Sequence, residues 1–165
     1  MIGICAGLPY TVAESVSVDS EKKNGDETSG GMSSAVNTRH ACILVAEDTD
    51  SNYDLLNAIL GKQYRLVRAN DGMEAVLLYD EVKPDLVLMD IKMPNLDGLE
   101  ATKIIRELSA TVPIIVQSAY AYPQDQKAAK EAGCSDFISK PIVQSELKKM
   151  LNKWLSPELN NKIQE

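Results

Sequence analysis

The 165-residue chain has little histidine, cysteine or large aromatic content: one His, three Cys, one Trp and one Phe. Cys5, Cys42 and Cys134 are far apart, odd in number and without C-x-x-C spacing, which argues against zinc or dithiol redox chemistry and leaves reduced thiols as the simpler reading. His40 follows Asn37-Thr38-Arg39 with no helical apolar frame around it and reads as a linker residue. No Lys/Arg run is long enough to track a phosphate backbone. With 24 acidic against 17 basic side chains, the net charge of -7 disfavours direct nucleic-acid binding. Met1 to Leu8 is apolar but too short to span a bilayer, lacks the basic leader of a secretory signal, and no other stretch approaches membrane length.

What is present is alternation. Glu14 to Asn37 is rich in Ser, Gly and charge, with almost no large apolar side chains to offset the entropy of folding, so residues 1–40 are expected to be a flexible linker. From Cys42 onward, short apolar runs alternate with segments of helical periodicity, the pattern of βαβ units and a parallel sheet. The predicted strands are Cys42 to Ala46, Tyr64 to Ala69, Leu86 to Met89, Ile114 to Gln117 and Phe137 to Ser139. Helices are expected over Ser51–Leu60, with Leu55, Leu56, Ile59 and Leu60 on one face, then over Met73–Val82, Leu99–Leu108, Pro123–Ala132 and Ser145–Leu155. The domain is bounded at 41–156, and 157–165 reads as a frayed tail. Right-handed crossovers and short loops favour a doubly wound α/β fold of five parallel strands in the order 2-1-3-4-5, flavodoxin-like, with helices on both faces.

In that topology the strand ends become the informative positions. Asp90 closes an apolar run just before turn-forming residues, and alone it could equally be a helix cap or a strand stop. Glu47-Asp48 ends the first strand, beside the third. Unit charges about 4 Å apart repel by roughly 4 kcal/mol at an effective dielectric near 20, so such a cluster shares protons or binds a cation. An all-oxygen donor set without nearby His or Cys suits Mg²⁺ better than Zn²⁺. Ser118-Ala119 and Lys140-Pro141 end strands four and five and bring a hydroxyl and an ammonium to the same edge. Beside a Mg²⁺ site these groups suit phosphoryl transfer, with Asp90 as the nucleophile.

Glu47-Asp48, Asp90 with Met93-Pro94 and Asp97-Gly98, Ser118-Ala119, and Phe137 with Lys140-Pro141 together resemble the signature of two-component response-regulator receiver domains. The resemblance spans about Ala41 to Leu155. It implies that a phosphohistidine, on a histidine kinase or a histidine phosphotransfer domain, donates its phosphoryl group to Asp90. Glu47, Asp48 and the backbone carbonyl of Lys92 would then organise Mg²⁺ with Asp90, while Lys140 contacts the phosphoryl oxygens. It further implies a switch in which Ser118 moves to the phosphoryl group and Phe137 turns inward, so that helix four, strand five and helix five present a changed face to a downstream protein. Phe137 departs from the commoner Tyr and lacks its hydroxyl. Lys92 and Tyr120 flank the reacting centre and are expected to influence the phosphoryl lifetime.

Other readings are separable. A haloacid-dehalogenase-like phosphatase needs a second Asp where this chain has Lys92. A flavodoxin-like FMN binder would put phosphate where Glu47, Asp48 and Asp50 repel it, and would be yellow. A pure interaction module would show neither Mg²⁺ quenching of Trp154 nor a Mg²⁺-dependent change in stability. The chain carries no Gly-rich ATP site and no phosphodonor His of its own, so partners supply both. Leu8-Pro9-Tyr10 before a polar linker resembles the end of a histidine-kinase ATPase domain, which favours the C-terminal receiver of a hybrid sensor histidine kinase over a stand-alone receiver. Either setting is cytoplasmic, with no membrane contact by this segment.

Overall fold

A computed structural model describes residues 40–155. The expectations for the linker before His40 and for the tail at 157–165 lie outside the described residues. Five strands, β1 (Cys42–Ala46), β2 (Arg65–Ala69), β3 (Leu86–Asp90), β4 (Ile114–Ser118) and β5 (Asp136–Ser139), form one parallel sheet in the order 2-1-3-4-5. They alternate with α1 (Asp50–Leu60), α2 (Gly72–Val82), α3 (Gly98–Leu108), α4 (Pro123–Ala132) and α5 (Gln144–Leu155). The expected fold class and strand order are those observed.

The near-continuous apolar sequences of β1, β3 and β4 follow from burial on both faces, because a strand covered by helices on either side has no solvent-facing positions. Leu44, Ala46, Val87, Met89, Ile114 and Val116 face one core with Ala75 and Tyr79 of α2, Ala101 and Ile105 of α3 and Ala129 of α4. Ile43, Val45, Leu86, Leu88, Ile115 and Ile138 face the other, with Leu56 and Leu60 of α1 and Leu147 and Leu151 of α5. Each fully buried Leu or Ile contributes about 1.5–3 kcal/mol, so this double core holds the sheet edge rigid. One predicted core position is corrected. Leu55 is 48% exposed, because one turn of α1 presents only Leu56 and Leu60 fully to the sheet, with Ile59 packed at the margin.

The starts of α2 and α3 are set by acidic caps. Asp71 accepts from the Glu74 backbone N–H at 2.7 Å, and Asp97 accepts from those of Leu99 and Glu100 at 2.9 Å each. Asp97, not Asp90, therefore caps α3, and Asp90 is the last residue of β3. At the far end of α3, Arg106 donates to the carbonyls of Gly133 and Val112, both at 2.6 Å, and to Ser135 Oγ at 3.0 Å. These bonds tie the turn before β4 to the turn before β5.

The loop after Asp90 is held by close backbone approach. The Gly98 N–H donates to the Ile91 carbonyl at 2.8 Å, and a Cβ on Gly98 would overlap the Asp90 carbonyl oxygen. Gly133, at φ 98, ends α4 in the left-handed region instead. Gly133→Ala is expected to cost about 1 kcal/mol. Gly98→Ala, which forces backbone from backbone, should cost about 2–3 kcal/mol, measured by urea unfolding of both variants beside the parent. Equal midpoints for the two would show that the Gly98 contact does not constrain the loop.

Candidate functional site

The register β2-β1-β3-β4-β5 brings the carboxyl ends of β1, β3, β4 and β5 to one edge, and the predicted site residues stand there. Carboxylate oxygens of Glu47, Asp48 and Asp90 lie within 4.8 Å of one another, with Glu47 fully buried, Asp90 nearly so and Asp48 exposed. Lys140 reaches this cluster from the end of β5. Its Nζ is 2.7 Å from Glu47 Oε2 and 3.4 Å from Asp90 Oδ2. The Lys140 backbone N–H donates to the Ser118 carbonyl at 2.8 Å, so the lysine and the serine share one backbone connection.

The three acids are not equivalent. Glu47 Oε1 accepts from the Thr49 backbone N–H at 3.1 Å and from Asn52 Nδ2 at 3.2 Å, while Oε2 accepts from Lys140. Both of its oxygens are therefore engaged, as burial of a carboxylate requires. Asp48 Oδ1 accepts only a longer bond from the Thr49 hydroxyl, at 3.3 Å. Asp48 and Asp90 are thus the carboxylates most available to an ion, with Glu47 holding Lys140 in place. An all-oxygen set with net negative charge at the carboxyl edge of the sheet suits a hard divalent cation.

Ser118 is 6% exposed, and its Oγ accepts from the Tyr120 backbone N–H at 3.1 Å. Phe137, in register with Val116, is half-buried against the core beside α4. Lys92 is exposed in the loop after β3, its ammonium 4.7 Å from the centroid of the Tyr120 ring, which stacks on Tyr122. Trp154 is not near the cluster. Its Nε1 donates to Asp136 Oδ2 at 3.1 Å, at the start of β5 and so at the opposite edge of the sheet, which makes its fluorescence a poor direct reporter of an ion at Asp90.

Sequence reasoning missed the groups that support the acids. Thr49 is the N-cap of α1, Asn52 lies in its first turn, and Arg68 comes from β2. Two arginines, Arg65 and Arg68, interrupt the apolar residues of β2, so residue type alone does not single out Arg68.

A family model for the response regulator receiver domain matches residues 43–152, well over half of the chain. The chain belongs to the response-regulator receiver family. It is 35% identical over 103 residues to the polar-differentiation response regulator DivK of Brucella anthropi, covering 61% of this chain and 84% of that protein. It is 34% identical over 154 residues to hybrid signal transduction histidine kinase I of Dictyostelium discoideum, covering 87% of this chain but 9% of that much longer protein. Among solved structures, it is similar to the receiver domain of sensor histidine kinase PA1611 from Pseudomonas aeruginosa, which has a magnesium ion coordinated in its active-site cleft. That likeness has a TM-score of 0.66 at 35% identity, covering 70% of this chain and 97% of the other. The Ssk1 receiver domain of Saccharomyces cerevisiae, solved with the histidine phosphotransfer protein Ypd1, gives a TM-score of 0.66 at 29% identity, covering 70% and 90%. No helix among the described residues is long and apolar enough to cross a membrane.

Receiver-domain Asp90 carries an electrostatic cost. Burial pushes its carboxyl up from the ordinary carboxylate range; Lys140 pulls it down, and Glu47 and Asp48 raise it again. A carboxyl raised on folding favours the protonated form, so it supports the fold in acid and withdraws that support as pH rises through the raised value. In metal-free buffer, Asp90→Asn is therefore expected to be more thermostable than the parent at neutral pH. The gain should shrink as pH falls through the carboxylate range, read by thermal melts with a chelator at several pH values. A variant less stable than the parent at neutral pH would contradict the burial argument.

Proposed function

We propose that this receiver takes a phosphoryl group from a phosphohistidine onto Asp90 in a Mg²⁺-dependent step. The observation that carries this reading is the Lys140 ammonium poised on both Glu47 and Asp90 at the sheet edge where Asp48 is exposed. Asp48, Asp90 and the Lys92 carbonyl, with Glu47 beside them, would hold Mg²⁺, which would supply charge neutralisation for the incoming phosphoryl oxygens. Asp90 attacks phosphorus through a carboxylate oxygen. The new P–O bond forms as the P–N bond to the donor imidazole breaks, and that imidazole takes up a proton. Lys140 pairs with a phosphoryl oxygen, and Ser118 Oγ exchanges its present bond from the Tyr120 N–H for a bond to the phosphoryl group.

Because the Asp90 carboxylate charge is consumed in the new bond, phosphorylation adds about one net negative charge and three acceptor oxygens at a buried edge, which favours a state in which Ser118 and Lys140 have moved. Ser118 ends β4 and Lys140 follows β5, the two joined by a backbone hydrogen bond, and Phe137 packs beside α4. The face of α4, β5 and α5 is accordingly the surface offered to a downstream protein. Similarity to the Dictyostelium hybrid kinase extends over 154 residues, beyond the 110-odd of a receiver, about the size that residues 43–152 define. This supports the C-terminal receiver of a hybrid sensor histidine kinase as the setting, with a cytoplasmic location. The similarity to DivK supports a stand-alone regulator as the alternative. The coding frame upstream of Met1 separates them, since a kinase core there requires the hybrid.

Incubation with Mg²⁺ and acetyl phosphate should add one phosphoryl group, located by intact-mass and peptide analysis at Asp90, with acetate released. Asp90→Asn should lose the label, and a variant labelled as fully as the parent would refute the assignment. Lys140→Ala leaves Glu47 buried without its cation, so it should lose on the order of 2 kcal/mol in metal-free buffer. Saturating Mg²⁺ should return part of that loss, because ion binding favours the folded state. This variant should bind Mg²⁺ yet fail to pass the phosphorylated state to a partner. Unchanged stability with and without Mg²⁺ would show that Lys140 does not neutralise the cluster.

A further inference from the structure

We infer that Arg68 is the positioning residue for the loop that carries the metal-binding acids; this rests on the Mg²⁺ reading above. Arg68 leaves β2 on the side that faces α1, in register with Val45 of β1. Its Nε donates to the Glu47 carbonyl at 3.1 Å and its Nη2 to the Asp48 carbonyl at 3.3 Å. Its Nη1 pairs with Asp50 at 2.7 Å, and the guanidinium carbon lies 4.8 Å from the centroid of the Tyr53 ring. One planar fork thus holds the backbone of both acids and the first residue of α1, while a ring of α1 fixes the plane of the fork. Asp50 is 87% exposed and the bond to the Asp48 carbonyl also lies at the surface, so the ion pair contributes little and the part-buried bond to the Glu47 carbonyl carries most of the constraint.

The carbonyls need this partner. Past the end of β1 the chain leaves the sheet ladder, so the Glu47 and Asp48 carbonyls have left the regular pattern of strand pairing. A charged, rigid donor set with two or more N–H groups in one plane fixes both peptide planes at once, which a lysine ammonium on a flexible stem does not. Fixing those planes fixes where the Asp48 carboxylate stands relative to Asp90. Groups that orient ligands in this way set metal affinity nearly as strongly as the ligands do, typically by 10–100-fold.

The sign of the effect distinguishes this role from a purely electrostatic one. Arg68 is a cation near a site for a cation, so as a charge alone its removal would tighten Mg²⁺ binding. As a positioning group its removal weakens it. In the full chain, titration calorimetry with MgCl₂ should show Arg68→Gln binding about tenfold more weakly than the parent. Arg68→Lys, which keeps the charge, should not restore affinity. With acetyl phosphate as donor, the Mg²⁺ concentration for half-maximal labelling of Asp90 should rise by a similar factor. The rate at saturating Mg²⁺ should stay within about twofold of the parent, because Arg68 touches the loop and not the reacting atoms.

Tighter or unchanged Mg²⁺ binding in Arg68→Gln overturns the inference, as does full restoration by Arg68→Lys. Lower thermal stability with unchanged Mg²⁺ affinity overturns it too, assigning Arg68 to the fold alone. If Arg68→Gln does not fold, Arg68→Lys decides by the same titration. A parent chain that takes up no Mg²⁺ would overturn the metal reading itself, a result distinct from any difference among the variants.

Discussion

Three carboxylates within 4.8 Å of one another, one of them fully buried, can persist at a sheet edge only because Lys140 stands between two of them. The attraction of the ammonium for Glu47 and Asp90 offsets repulsion that would otherwise drive protonation or local unfolding. Neutralisation is incomplete, however. Asp90 remains under strain from burial, and Asp48 keeps an exposed carboxylate. The site therefore keeps net negative charge, which a divalent cation would relieve.

The remainder of the fold holds these groups at fixed separation while leaving one route for change. Both cores are built from fully buried aliphatic side chains of β1, β3 and β4, so the edge cannot drift. The loops above it are held by specific contacts. Arg68 grips the turn after β1, Gly98 presses α3 against the Asp90 carbonyl, and Asn95 donates from the following loop to Asp71 at 2.6 Å. On the other side, Ser118 and Lys140 are linked through backbone and stand beside the half-buried Phe137.

The strands and their order were legible because burial on both faces makes apolar runs of five residues, and because short crossovers admit few topologies. Asp90, Glu47-Asp48, Ser118 and Lys140 were legible as strand ends once that order was assumed. Leu55 was misjudged, since helical spacing marks a broad apolar stripe and not which of its members reach the sheet. Trp154 was misjudged as an ion reporter, because the last turn of a helix after a parallel strand returns to the amino edge of the sheet, away from the strand ends that carry the acids. Arg68, Thr49 and Asn52 escaped notice because their partners are backbone carbonyls or one oxygen of Glu47, and such bonds leave no residue-type signature.

By itself the sequence determined the chemistry: which acids, which hydroxyl and which ammonium end the strands, and that none of these ends carries a His or Cys. Those properties are local, encoded in residue type and in the period of apolar side chains. Tertiary structure alone decided the division of labour. Glu47 is saturated by Thr49, Asn52 and Lys140, Asp48 stands open, and Arg68 sets the loop between them. That division depends on distances between groups up to 93 positions apart in the chain, which only packing against a common sheet can fix.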